Sequence, residues 1–354
     1  MSPIESHLHT RPSFDLADHP MPSGHEEVYR FAPMDKLAPL LDADADWGPA
    51  VPVDEPGGVL VPVDRPSAIA AAKGQITRVE LAGEVAEPVV VDIKGDGGHR
   101  ALRLTVDAKP GSRGVVVLQH AGSGVFLGNV EILVGDAADL TVVTLQEWAA
   151  DAVHGGFSQA QVGRDAHFRH IAVTFGGSMV RLQTNVNYDG PGGVAELYGL
   201  YLTDGHQYHE HRLFVDQNQP KTTSRVDYRG ALQGQGARST WVGDVLIRRG
   251  AEDTDSYEQN RNLLLTPGCV AESVPNLEIE TGNIVGAGHS SATGRFDDEQ
   301  LFYLQSRGIP EDEARRLIVQ GFFFDIIARI GVPDVERRLR HAVNAELKYE
   351  PEED

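Results

Sequence analysis

A fixed interval runs through the middle of the chain. Turn signals stand at Gly135-Asp136-Ala137, Gly163-Arg164-Asp165-Ala166 and Gly192-Gly193-Val194-Ala195, spaced 28 and 29 residues apart. They punctuate a block, from about Gln75 to Gly294, of short segments rich in β-branched and aromatic residues. Those segments fall at 89–93, 101–106, 114–120, 129–134, 140–148, 167–175, 179–188, 195–202, 208–216, 224–232, 240–248 and 276–281. In Ala101-Leu102-Arg103-Leu104-Thr105-Val106 the apolar residues fall on one face, as in a half-buried strand. Long helix-like segments are missing from the block, which disfavours a doubly wound α/β sheet. A constant long period points to a β-solenoid, each coil resting on the next. A β-sandwich, with turns every ~8–12 residues and no longer period, is the competing fold.

The flanks have a different texture. Residues 1–75 are rich in Pro, Asp and His; the spacing predicts a short helix near Met34–Leu41 after Pro33, loop over 42–66, and periodicity over 68–73. Residues 296–354 read as helical. Asp297-Asp298-Glu299 puts acids at the start of a helix over 300–307 that Gly308 ends. Pro310 then suits the first position of a second helix, with Glu311, Asp312 and Glu313 in its first turn. Gly331 and Pro333 break it, and Val335, Leu339, Ala342, Val343 and Leu347 trace a third, amphipathic helix. The apolar sector around Phe322-Phe323-Phe324 is too broad for a solvated helix. It must bury against the β block or in a partner. The expected division is a helical and loop region over 1–75, a β core over 76–295 and a helical domain over 296–354.

Several function classes are excluded by composition and missing motifs. With 52 acidic against 31 basic side chains and a net charge of −21, nucleic acid and anionic membranes are disfavoured partners. A basic protein partner, metal-ion handling or plain solubility all fit that charge. No run approaches the ~18 apolar residues of a membrane helix. The opening Met1-Ser2-Pro3-Ile4-Glu5 is no secretory signal. A single cysteine, Cys269, excludes an internal disulfide, and the expected compartment is the cytoplasm. That same count rules out a tetrathiolate iron–sulfur cluster held by this chain alone. Neither a Gly-x-x-x-x-Gly-Lys-Ser/Thr loop nor a Gly-x-Ser-x-Gly elbow is present, so no enzyme is expected.

The densest metal-ligand pattern is His206, His209 and His211 in Gly205-His206-Gln207-Tyr208-His209-Glu210-His211. On a strand His209 and His211 share a face while Glu210 projects to the other. The same pattern serves a stacked histidine ladder inside a solenoid, hydrogen-bonded to neighbouring coils. His289, in Gly286-Ala287-Gly288-His289-Ser290-Ser291-Ala292-Thr293-Gly294, is flanked by small residues, which leaves its imidazole approachable by a partner or a metal. Cys269 lies at a turn, where a lone cysteine is more often inert than a sulfur carrier.

Three stretches resemble a known family. One is Pro275-Asn276-Leu277-Glu278-Ile279-Glu280-Thr281, continued by Gly286-Ala287-Gly288-His289 and by Gly294-Arg295-Phe296-Asp297-Asp298-Glu299-Gln300-Leu301-Phe302-Tyr303-Leu304-Gln305-Ser306-Arg307-Gly308-Ile309. The second is Asp216-Gln217-Asn218-Gln219-Pro220 with Tyr228-Arg229-Gly230-Ala231-Leu232, and the third is Pro22-Ser23-Gly24-His25-Glu26-Glu27-Val28-Tyr29-Arg30-Phe31-Ala32-Pro33. Together they resemble the SufB/SufD family of iron–sulfur cluster assembly proteins over about residues 20–345.

The resemblance implies a right-handed parallel β-helix flanked by an N-terminal helical region and a C-terminal helical domain. It implies a non-ATPase scaffold in a SufBCD complex, paired with a SufB-like chain and docked to a SufC-like ABC-type ATPase. It further implies that His289 is the interface histidine beside a transient iron–sulfur cluster, with no cofactor held tightly by this chain alone. Phe322, Phe323, Phe324, Leu339 and Val343 become the expected ATPase-docking residues. Chains of the SufB kind carry a His-Glu pair, then Ala/Gly-Thr-Thr-Ser, before the Gln-Leu-Phe-Tyr segment; here Ser290 follows His289. They also carry a sulfur-accepting cysteine shortly before the triplet at 263–265, where this chain has Asn260 or a neighbour. Both departures resemble the SufD side. Two other readings stay open: a metal-dependent β-solenoid enzyme using His206, His209 and His211, and a homodimer formed before or instead of the SufB pair.

Overall fold

The computed structural model describes residues 12–48, 60–295 and 298–346. Phe296, Asp297, Leu347 and the middle of the expected loop over 42–66 lie outside the described residues. The repeat builds a parallel β-solenoid of about 8 turns, and 51% of the chain is strand. Its strands are β1 (Gln75–Leu81), β2 (Val89–Ala108), β3 (Arg113–Val134), β4 (Asp139–Trp148), β5 (Val153–Val162), β6 (His167–Gly176) and β7 (Met179–Tyr188). They continue as β8 (Val194–Asp204), β9 (Tyr208–Gln217), β10 (Thr223–Gln233), β11 (Arg238–Ile247), β12 (Asp255–Leu264), β13 (Val270–Ile279) and β14 (Gly286–Arg295). The hydrogen-bonded order is β13-β11-β9-β7-β5-β3-β4-β6-β8-β10-β12-β14, with β2 on β3 and β1 on β2. Odd and even strands therefore form the two walls, joined through the long β3. The sandwich alternative falls, because the strand pairings run parallel between residues 26 to 32 apart in sequence.

The turns explain the period. Gly111, Ala137, Asp165, Gly192, Lys221 and Asp253 all take positive φ, at 69°, 56°, 52°, 80°, 60° and 56°. Each is tied to the corner above it by a backbone bond: Gly111 N–H to Asp136 O, Ala137 to Arg164, Asp165 to Pro191, Gly192 to Pro220, Lys221 to Glu252, and Asp253 to Asn283. Four non-glycine residues hold the left-handed region here, a conformation costing about 1 kcal/mol that the stacked corner hydrogen bonds offset.

Alternation along each strand separates an inner and an outer core. On β4, Leu140 and Val142 join the interior cluster with Val106, Ile132, Phe168 and Leu197, while Val143 and Leu145 face outward. Both walls are then covered. On the odd wall, α1 (Met34–Leu41) and α2 (Arg65–Lys73) bring Leu37, Leu40 and Ile69 onto Leu127, Met179 and Tyr208. Asp64 caps α2 by accepting from the Ser67 amide, in a reciprocal capping box. On the even wall, α4 (Glu311–Ile327) and α5 (Pro333–Glu346) follow α3 (Asp298–Ser306). Pro310 precedes α4 in an extended conformation rather than opening it, a one-residue shift from the sequence expectation.

That covering corrects the expected docking set. Phe323, Leu339 and Val343 are 0%, 0% and 1% exposed, packed with Ile326 on Val143, Ile171, Val173 and Leu200 of the chain's own wall. A side chain already buried cannot offer area to a partner. Phe322 and Phe324 are half-buried, beneath the guanidinium groups of Arg229 and Arg340 at 6.0 and 4.5 Å from their ring centroids. Among the described residues no helix is long and apolar enough to cross a membrane.

Candidate functional site at the open end of the coil

The two walls end on β13 and β14, each hydrogen-bonded, among the described residues, along one side only, to β11 and β12. A bare parallel edge is a template for another chain. Exposed apolar side chains cluster near it: Tyr257, Val270, Ile279 and Val285. β14 has almost no large side chain, so its inner face is open.

His289 stands on that edge strand, in register with Glu258 of β12. Parallel partners share a face, so both side chains are turned to the same side of the wall. Inward residues of β12 are Ser256, Glu258, Asn260 and Asn262, all buried, while Tyr257 is exposed with Arg225 5.4 Å from its ring centroid. His289 is 43% exposed and its Nδ1 lies 3.9 Å from Glu258 Oε1. The Glu258 carboxyl is 1% exposed and neither oxygen has a well-aligned hydrogen bond, the Asn276 backbone near it drawing its pKa down only slightly against burial. Burial, reinforced by nearby Asp244, pushes this carboxyl up to about 8. Gly243 makes the space for it: a Cβ there would lie 2.3 Å from Glu258 Oε2. On the opposite face of the wall from the Glu258 side chain, Tyr198, Arg225, Tyr257 and Arg329 line a groove of about 530 Å³.

Deeper in the coil part of the polar interior is hydrogen-bonded, while His170 Nδ1, His211 Nδ1, Ser239 Oγ and Trp241 Nε1 are buried without a partner. Asn262 donates to Asn260 Oδ1 at 2.7 Å, Tyr201 Oη to Asn262 Oδ1 at 2.6 Å, and Ser273 Oγ to Asn260 Oδ1 at 2.9 Å. Asn260, expected near the family's sulfur-accepting position, is fully buried in this network.

The three clustered histidines are not brought together. Gly205, at φ +55°, turns the chain so that His206 sits exposed in the corner, its carbonyl taking the Lys36 ammonium. His209 and His211 are buried. His209 bonds Thr203 Oγ1 at 3.0 Å and Gly176 O at 2.8 Å, and His211 bonds Thr174 Oγ1 at 2.9 Å and stacks on Tyr201 at 4.8 Å. Glu210 points the other way, into a buried ion pair with Arg181. Among the described residues no three His, Cys, Asp or Glu side chains converge as a metal site. Cys269 is half-buried, its Sγ 3.4 Å from Gly234 O.

Sequence reasoning missed Glu258 because β12 carries polar residues inward, which an apolar-alternation search passes over. The signal was there: Ser256, Glu258, Asn260 and Asn262 alternate at period two just before the apolar triplet at 263–265.

A family model described as the SUF system FeS cluster assembly SufBD core domain matches residues 91–322. An iron–sulfur cluster assembly SufBD family protein of Mycobacterium tuberculosis is 46% identical, over 95% of this chain and 92% of its own length. Its counterpart in Mycobacterium leprae is 46% identical over 95% and 93%. The iron–sulfur cluster assembly protein SufD of Escherichia coli is 25% identical over 53% of this chain and 51% of its own.

Proposed function

The chain belongs to the SufBD family of iron–sulfur cluster assembly proteins, and on that premise we propose that it is the SufD-type, non-catalytic scaffold subunit of a SufBCD complex. The observation that carries this reading is the open end of the solenoid. β13 and β14 present unpaired edges, and His289 sits on one of them, where a SufB-like coil adding to the edge would enclose it. The missing second cysteine leaves the sulfur-accepting role to that partner. The nascent cluster is then cargo assembled at the joint, with His289 contributing one ligand.

The ATPase dock moves with the burial pattern. Phe302 and Tyr303 of α3 are 72% and 57% exposed, and Leu317 of α4 is 41% exposed. These three, rather than Phe323, Leu339 and Val343, are the apolar surface left for a SufC-like ATPase. Aspartate at both Phe302 and Leu317 is expected to weaken ATPase capture at least roughly thirtyfold, about 2 kcal/mol or more, while SufB pairing persists. Titrating the ATPase onto the purified subunit measures this; unchanged affinity removes the dock from this face. His289→Ala is expected to leave the complex assembled but lower the cluster yield, read by visible absorbance, by roughly tenfold. A normal yield removes the ligand role.

A further inference from the structure

We propose that the groove on the outer face of the even wall is a specificity pocket for an acidic side chain of the partner that adds to β14. The proposal rests on the edge pairing above and names what the partner must carry there. Arg225, Tyr257 and Gly288 stand in one outward row, in register across β10, β12 and β14, and Asp227, Gln259 and Ser290 form the next. A strand added to β14 extends both rows, so the groove of about 530 Å³ is continuous with the edge. Gly288 keeps that passage open. A Cβ there would lie 2.7 Å from Tyr257 Cε1, so the ring leans over the glycine, and Tyr257 is 51% exposed.

Charge in the groove is unbalanced. Arg225 is already engaged, 5.4 Å from the Tyr257 ring centroid and paired with Asp255. Asp227 is engaged as well, by Arg229 at 2.9 Å and Arg261 at 3.6 Å. Arg329 is different. Its guanidinium is held 4.6 Å from the Tyr198 ring centroid and donates to Tyr198 Oη at 3.1 Å, but it makes no ion pair among the described residues. Stacking on a ring fixes the guanidinium plane and leaves N–H groups at its rim for a carboxylate, which it can grip through two bonds. Gln259 and Ser290 bring further donors to the same groove. An unpaired cation here, in a chain of net charge −21, selects an anion. The residue of the added strand that faces Gly288 or Ser290 is therefore Asp or Glu, while Lys or Arg there meets Arg329 and is rejected.

The test titrates a purified SufB-like chain onto the full-length chain at low and at high salt. Arg329→Glu is expected to weaken pairing roughly tenfold or more, and Arg329→Gln to weaken it less and flatten its salt dependence. Arg329→Lys, which keeps the charge, recovers part of the affinity. An unchanged thermal melt and unchanged ATPase capture establish that the helical domain still sits on the wall in each variant. Equal pairing by the parent and all three variants, with one salt dependence, overturns the pocket and leaves the edge pairing standing. A parent chain that does not pair overturns the edge reading, and the pocket with it. A self-dimer that Arg329→Glu dissolves gives the groove to a second copy and overturns the proposal as well.

Discussion

Lowering the pH from 7 to 5 is expected to destabilise this protein by several kcal/mol, enough to unfold much of it. Five histidines, His120, His154, His170, His209 and His211, are fully buried in the solenoid. Burial holds each imidazole below its ordinary value: His120, His170 and His209 are down to about 4, His211 to about 3, and His154 is well below 6.5 with His120 adding repulsion. A depressed folded value means the neutral form is the one that folds. Stability is therefore full above the unfolded value of ~6.5 and is lost as pH falls from there toward 4. At pH 5 each contributes a loss of about 2 kcal/mol, and five together roughly 8–10, against a typical total of 5–15. Two groups oppose this trend. Glu258, raised by burial, and His167, raised first by its bond to Glu196, both favour the protonated folded form as pH falls. They soften the loss without reversing it. Denaturant melts at pH 7, 6 and 5 check the slope, and His170→Gln should remove one proton's worth of it. A stability that stays flat down to pH 5 contradicts the account.

The largest single-residue effect is expected at Glu210. Its carboxylate is 1% exposed and pairs with Arg181 and Arg212, themselves 4% and 8% exposed. Tyr208 Oη also donates to it, at 3.2 Å. Arg181 in turn donates to Val28 O at 2.9 Å and lies 4.9 Å from the Tyr29 ring centroid, so this pair pins the N-terminal segment to the odd wall. Glu210→Ala leaves two buried guanidinium groups without their counter-charge, which costs about 3–5 kcal/mol. The expected fall in Tm is on the order of 10 °C, with earlier proteolysis before residue 34. Replacing Arg181 and Glu210 together, by Met and Leu, should recover a large part of the loss, since an apolar pair asks for no compensation. A Glu210→Ala cost below 1 kcal/mol would show that water reaches the pair.

How much of this was legible in the sequence differs by element. β7 coincides with the segment expected at 179–188, β4 and β9 differ from theirs by a residue at one end and β10 by one at each end, because apolar inner faces announce a strand. β1, β5, β12 and β14 were passed over. In β5 and β12 the inward positions hold His154, Ser158, Glu258 and Asn260, polar groups that interrupt the apolar alternation by which a strand is recognised. The C-terminal helices were legible as amphipathic, but which neighbour their apolar stripe meets is set by tertiary packing, and Phe323 turned to the chain's own wall. Likewise, the spacing of His206, His209 and His211 concealed a corner at Gly205 that parts the first from the others. His289 was visible as an approachable imidazole; the acid beneath it, 31 residues earlier, was visible only once the register of β12 and β14 was fixed.

The central claim is that this chain is one subunit of a scaffold, completed through the open edges of β13 and β14. Co-expression with a SufB-like chain and a SufC-like ATPase, followed by native mass measurement of the purified material, tests it most directly. The account predicts a stable species containing one copy of this chain, one SufB-like chain and the ATPase. A chain that stays alone, or that forms only a dimer with itself while both candidates are present, would contradict it.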